Sequence, residues 1–323
     1  MRGGIAAGPL WGFNRVMDMP IAPAAVTANT PPPPIMLLRP AQQTVPLVFA
    51  SAHSGRDYPA DFLAAARLGA LALRRSEDGF VDELFGAAPA CGAPLLAATF
   101  PRAYCDANRE RWELDPAMFA DRLPAWVNTG SPRVEAGLGT IARVVASGEA
   151  IYRRKLHFAE AERRIRLCWE PFHATLRDLV ETTRRQFGTC LLVDCHSMPC
   201  NGGTPHAPAD VVLGDAHGTA CGAEVMRRAE QALAGMGYRV RRNDPYAGGY
   251  ITRHYGRPLE GVHALQIEVC RPLYMDEARM AKLPAFDVVQ RDMTTLVAAL
   301  AGLGPTLEVL PGSVRRPGLS IIP

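Results

Sequence analysis

Leu191-Leu192-Val193-Asp194-Cys195-His196-Ser197 is an apolar run that turns polar and ends on a histidine and a serine. A second run, Leu47 to Ala52, leads into the same dipeptide, His53-Ser54. Both are short, apolar and followed by loop-forming residues, which predicts buried strands. In an open α/β sheet the carboxyl ends of parallel strands gather at one edge, and ligands bind there. Two histidines delivered to that edge predict a metal site. A third run, His263-Ala264-Leu265-Gln266-Ile267-Glu268-Val269, carries a carboxylate near its end, the acid/base partner that a metal-activated water needs. Side chains two apart on a strand share a face. Asp194 and His196 therefore point one way with Cys195 opposite, while Gln266 and Glu268 share a face against Leu265, Ile267 and Val269.

Outward from these runs, strands are expected at Val45 to Ala52, Leu95 to Thr99, Cys190 to Val193, Val211 to Gly214 and His263 to Val269. Helices are expected at Ala60 to Arg75, Glu77 to Ala88, Cys221 to Met236 and Phe286 to Leu303. Gly139 to Arg185 alternates apolar and charged residues at helical spacing, which predicts two helices broken near Pro171. Strands alternating with helices predict an α/β fold with a mostly parallel sheet covered on both faces. Residues 1–34 are rich in Ala, Gly and Pro and end in Pro31 to Pro34, which predicts a disordered segment outside the core. Residues 304–323, with four prolines, read as a C-terminal tail. The catalytic domain is expected between them, at residues 35–303.

The chain has 323 residues, 48% of them hydrophobic and 21% charged, with a formal net charge of +3. It is long enough to bury a sizeable core. The charge is too mild for a nucleic-acid partner, and no basic stretch is interleaved with aromatics. No apolar stretch reaches the ~20 residues that span a bilayer, and Met1 to Ala28 forms no clean export signal. The eight cysteines show no C-x-x-C spacing; reduced, mostly buried thiols and a cytoplasmic location are expected.

Zinc in a hydrolytic site has three protein ligands and one open position. His53 and His196 supply two. Glu77-Asp78-Gly79-Phe80-Val81-Asp82-Glu83 offers the third at a helix start, where the dipole favours an acid. Asp78 is the choice, with Asp82 one turn on as the alternative; Asp194, beside His196, is a further supporting or alternative ligand. Phe100 to Arg109 places Arg102, Asn108 and Arg109 after a strand, where guanidinium groups can grip a carboxylate bidentately. By periodicity alone that stretch reads first as a surface loop in which Asp106 pairs locally. Asn243 to Arg253 contains Gly248-Gly249, a mobile loop able to close over a ligand, and Tyr250 and Thr252 behind it are candidate substrate contacts.

These residues resemble the N-formylglutamate amidohydrolase family. The matching stretches are Ser51 to Gly55, Asp78 to Phe85, Arg102 with Asp106 to Arg109, Asp194 to Met198, Asp210 to Gly214, Gly248 to Thr252, Leu265 to Val269 and Tyr274 to Glu277, in the family's order. They span about residues 45 to 280. The resemblance implies a phosphorylase/hydrolase-like, zinc-carboxypeptidase-like fold around a mixed, mostly parallel sheet. It implies one Zn2+ on His53 and His196, Glu268 as general base and acid, and Asn108, Arg109 and Arg102 on the substrate carboxylate. The substrate it implies is N-formyl-L-glutamate, an acidic N-acyl amino acid, cleaved to formate and glutamate as in the last step of one histidine-degradation route. Another N-acyl amino acid or a short peptide is the alternative substrate, and an inactive metal-binding scaffold the alternative role. One departure matters: carboxypeptidases place a glutamate three residues after the first histidine, where this chain has Arg56 and then Asp57. Asp78 as third ligand is therefore an inference.

Overall fold

The computed structural model describes residues 32–200 and 209–303. The expectations for residues 1–31 and 304–323 lie outside that range. Pro33 and Pro34, at the end of the segment expected to be disordered, accept hydrogen bonds from Thr99, the Oγ1 at 2.6 Å and the amide at 3.1 Å.

Seven strands form one sheet: β1 (Ile35–Leu38), β2 (Leu47–Ser51), β3 (Leu95–Ala98), β4 (Cys190–Met198), β5 (Val211–Gly214), β6 (Val240–Arg242) and β7 (Val262–Cys270). Their order is β1-β3-β2-β4-β7-β5-β6. β3, β2, β4 and β7 run parallel, β1 is antiparallel to β3, and β5 is antiparallel to β7 and parallel to β6. The sheet is thus mixed and mostly parallel.

Strand alternation sorts the core into two layers. Leu47, Phe49, Leu191, Val193, Leu265 and Ile267 pack into one apolar cluster, while Val48, Ala50, Leu192 and Ala264 pack into the other. The first layer is closed by helices Ala223–Gly235 and Phe286–Ala301, through residues such as Val225, Leu233, Val289 and Leu296. The second is closed by helix Glu170–Phe187, whose Phe172, Leu176, Leu179 and Val180 recur at helical spacing on one face. That helix stops at Gly188, whose φ of 79° suits a left-handed cap.

Several expected helices are shorter than their periodicity suggests, because tertiary hydrogen bonds displace them. Ala60 to Arg75 splits into Ala60–Ala65 and Ala70–Arg74, with the Arg67 amide donating to the Ile151 carbonyl at 2.8 Å between them. Of Glu77 to Ala88 only Val81–Leu84 is α-helical, because the Asp78 amide donates to the His53 carbonyl at 3.0 Å. Residues 139–157 are irregular: Thr140 donates to Glu113 and Ile151 to Arg143, each at 2.8 to 2.9 Å, where a helix would bond four residues back. The helical chain begins only at Phe158 and runs to Phe187, through a π-helical stretch at Ile165–Trp169 and past Pro171 without a break. β4 is longer than expected and includes Asp194, His196 and Ser197 as strand residues. β1 was not expected at all.

Six cysteines are free thiols, five of them buried. The expectation of eight reduced thiols is corrected at one pair: Cys200 and Cys270 form a disulfide, their Cα atoms 5.2 Å apart, within the span such a bond requires.

Candidate metal centre

β4 and β7 lie side by side in parallel register, with His196 opposite Glu268 and Asp194 opposite Gln266. These four even-numbered positions continue the face that carries Leu192 and Ala264 lower in the sheet, so one face turns from apolar to polar at its carboxyl edge. The odd positions Val193, Cys195, Leu265, Ile267 and Val269 stay in the apolar core. His53 follows the end of the neighbouring β2. The two imidazole rings are 4.8 Å apart, centroid to centroid.

Asp78 sits between them. One of its oxygens, Oδ2, is 2.8 Å from His196 Nδ1 and 3.3 Å from His53 Nδ1. The outer nitrogen of each ring is held by another carboxylate. His53 Nε2 is 2.7 Å from Asp106 Oδ1, and His196 Nε2 is 2.8 Å from Asp194 Oδ1. A carboxylate only accepts, so Asp106 and Asp194 each favour a proton on the Nε2 they face, and an ion held between the rings would take the Nδ1 lone pairs. A second carboxylate that fixes the tautomer of a ligating histidine is the usual support of a metal site. His53, Asp78 and His196 are the group among the described residues whose donor atoms lie close enough to hold one ion.

Charge counting supports the fit. Asp78, Asp106, Asp194 and Glu268 are all buried. Asp106 has Arg102 Nε at 3.0 Å and Arg109 at 3.6 Å, and Asp78 Oδ1 accepts from Arg271 at 2.9 Å. Asp194 and Glu268 make no arginine ion pair among the described residues. A buried charge is costly without a counter-charge; Asp194 has His196 at 2.8 Å, and a cation held by His53, Asp78 and His196 would add positive charge to this acidic cluster. Burial by itself would raise the Asp78 carboxyl, yet its contacts with His196 and His53 outweigh this and hold it well below the usual range. Burial opposes charge on His196 too, but Asp194 and Asp78 hold its proton affinity well above the ordinary imidazole value. The cluster therefore attracts positive charge at the point where Nδ1 and Asp78 meet.

Glu268 accepts from Gln266 Nε2 at 2.9 Å and faces a cavity of about 540 Å³ above the cluster. Burial pushes its carboxyl up to about 7, with His196 opposing, Asp78 adding to the rise, and Arg102 again opposing. A carboxyl poised there can take and return a proton at neutral pH.

The other expected residues divide by what they touch. Asn108 Nδ2 is 3.0 Å from His196 Nε2 and 3.5 Å from Asp194, while its Oδ1 accepts from the Ile251 amide at 2.7 Å. A Cβ on Gly249 would stand 2.3 Å from Asn108 Nδ2, so only glycine fits there. Arg109 is buried and spends its donors on the Leu138 and Asn108 carbonyls, at 2.8 Å each, and on Asp106. Arg102 lines the cavity and pairs through Nε with Asp106. Thr252 Oγ1 donates to Asp194 at 3.2 Å. Tyr250 packs its ring near Trp169, His173 and His254, and neither it nor Thr252 lines the cavity. Asp82 faces away, paired with Arg56 at 3.1 Å.

Two functional positions escaped the sequence reading. Asp106, read as a local pair, reaches across to His53, and no spacing signals that. Arg271 directly follows the strand that bears Glu268, a position that could have signalled it. It joins Asp78, Ser197 at 3.1 Å and Glu277 at 3.2 Å.

A histidine, aspartate and histidine converging at the carboxyl edge of a mixed sheet, under a cavity faced by a glutamic acid, make this an α/β protein with a donor set that could hold a metal ion. The family model for N-formylglutamate amidohydrolase matches residues 45–275. The chain is 31% identical over 248 residues to N-formylglutamate deformylase from Pseudomonas putida, covering 73% of this chain and 84% of that protein. It is 31% identical over 241 residues to the protein of the same name from Pseudomonas aeruginosa, covering 72% and 83%. The crystal structure of N-formylglutamate amidohydrolase from Ralstonia eutropha JMP134 matches with a TM-score of 0.81 at 40% identity, covering 85% of this chain and 99% of that one. The chain belongs to the N-formylglutamate amidohydrolase family.

Proposed function

We propose that this protein is a zinc-dependent amidohydrolase that cleaves the formyl amide of N-formyl-L-glutamate to formate and glutamate. The observation that carries the reading is the convergence of His53, Asp78 and His196, each histidine locked by its own carboxylate, with Glu268 opposite His196 on the next strand. Family membership supports the substrate. His53, Asp78 and His196 would hold the ion, which when bound supplies Lewis acidity toward a carbonyl oxygen and lowers the pKa of water. Glu268 takes a proton from the attacking water and returns it to the amine nitrogen as the amide breaks. Asp106 and Asp194 hold the imidazoles in register, and Asn108 braces His196 and the Gly248-Gly249 loop. Arg102, which lines the cavity, binds the α-carboxylate beside the scissile amide.

Residues 35–303 are the catalytic domain in this reading, with 1–34 and 304–323 outside it. A cytoplasmic role in histidine degradation belongs to the same proposal; the six unpaired thiols speak for that compartment and the Cys200–Cys270 disulfide against it. A coupled assay tests it: purified protein should release formate and free glutamate in equal amounts from N-formylglutamate. No formate from any N-formyl amino acid would contradict it.

A further inference from the structure

Five arginines line the cavity: Arg102, Arg109, Arg133, Arg253 and Arg271. They fall into two groups by partner. Arg102 and Arg109 pair with Asp106, and Arg271 pairs with Asp78 and Glu277. Arg133 and Arg253 are exposed, and among the described residues neither guanidinium engages a carboxylate.

Both project from backbone that is tied to the site. Arg133 lies in the short helix Pro132–Glu135, capped by Ser131, whose Oγ accepts from the Val134 amide at 3.1 Å. Its carbonyl accepts from the Leu138 amide at 2.8 Å, and the Leu138 carbonyl in turn accepts from Arg109. Arg253 lies in helix Tyr250–Tyr255, anchored by Asn108 at the Ile251 amide and by Thr252 on Asp194. The side chains are solvent-facing, but the base of Arg253 is held by Asn108 and Asp194, which contact His196, and that of Arg133 is linked through Leu138 to Arg109, a partner of Asp106.

We infer that Arg133 and Arg253 form a second anion subsite, which takes the side-chain carboxylate of a dianionic N-acyl amino acid and sets the preference for glutamate over neutral side chains. The inference rests on the proposed function. An α-carboxylate is common to every N-acyl amino acid and has Arg102 to meet it. A neutral side chain would pair with neither guanidinium, whereas a second carboxylate could pair with both, and guanidinium groups suit it by geometry.

The test compares N-formylglutamate with N-formylglutamine, which has nearly the same shape and lacks the second charge. Wild type should favour the glutamate in kcat/KM. Arg133→Met and Arg253→Met should each reduce that preference by about 10- to 100-fold, the worth of a hydrogen bond to a charged group, acting through KM more than kcat. Lysine at either position should restore part of it. A preference kept in both variants, or equal losses on the two substrates, would overturn the subsite. Calorimetric binding of both compounds separates this from the reaction itself. If wild type binds N-formylglutamate selectively and the variants lose that selectivity while no formate is released, the subsite stands and the hydrolytic reading falls. If wild type binds both compounds alike, the subsite falls.

Discussion

Strands β4 and β7 and the irregular chain from Thr99 to His157 meet at the same cluster and build it in opposite ways. The strands place His196, Asp194, Glu268 and Gln266 by alternation alone, since a parallel register with period two leaves each side chain one available face. The irregular chain contains only short helical turns at Pro116–Met118 and Pro132–Glu135, and it brings Asp106, Asn108 and Arg133 to the site through contacts distant in sequence. In the proposed reaction the strands supply the acid/base group and one of the metal-binding histidines, while the irregular chain supplies the groups that orient the histidines and meet the substrate's carboxylates.

That division orders the expected effects. On the strand side, Glu268→Gln removes the proton acceptor and should lower turnover of N-formylglutamate by about 10²- to 10⁴-fold, the usual worth of a general base, with metal still bound. Near-normal turnover would take the reacting role away from β7. On the loop side, Asp106→Asn leaves His53 in place but loosens its tautomer and ring orientation. Metal binding should weaken by about 10- to 100-fold, measured by competition with a chelator, and added metal should recover part of the rate. An unchanged metal affinity would mean that Asp106 only packs.

The remaining effect lies behind the loop and falls on stability rather than on the reaction. His173 is buried, with Nε2 2.8 Å from the Ala107 carbonyl and Nδ1 3.0 Å from the Tyr255 hydroxyl. Burial lowers its proton affinity to about 4, with the Ala107 contact opposing. Between about pH 6.5 and 4 the unfolded chain therefore binds a proton that the folded chain refuses. The stability that the neutral ring contributes is present above about 6.5 and is lost as pH falls through that window, by up to ~3 kcal/mol. Denaturant titrations at pH 7 and 4.5 should show this loss, and His173→Gln should flatten it. An equal pH slope in the variant would assign the loss to other groups.

How much of this was legible follows the same line. The runs ending in His53, His196 and Glu268 were readable because a strand's composition and its two-residue period are local properties, and the mixed, mostly parallel sheet followed from their alternation with helices. Asp78 was chosen from the start of an expected helix, yet the chain there is mostly a turn bonded to His53. Its place beside the histidines comes from that turn rather than from a dipole. Residue type marks Arg109 and Thr252 as candidate substrate contacts, and the fold also ties Arg109, which lines the cavity, to Leu138 and Thr252 to Asp194, partners that residue type does not reveal. The region between Gly139 and His157 has helical periodicity but commits its backbone donors to remote carbonyls, a choice no local pattern records.

The account rests on one ion shared by His53, Asp78 and His196, and elemental analysis of the purified protein tests that most directly. Wild type should carry about one divalent ion per chain, His196→Ala should carry almost none at matched folding by circular dichroism, and chelation should stop formate release until metal is returned. A wild-type protein that stays fully active after its metal has been stripped to trace levels would contradict it.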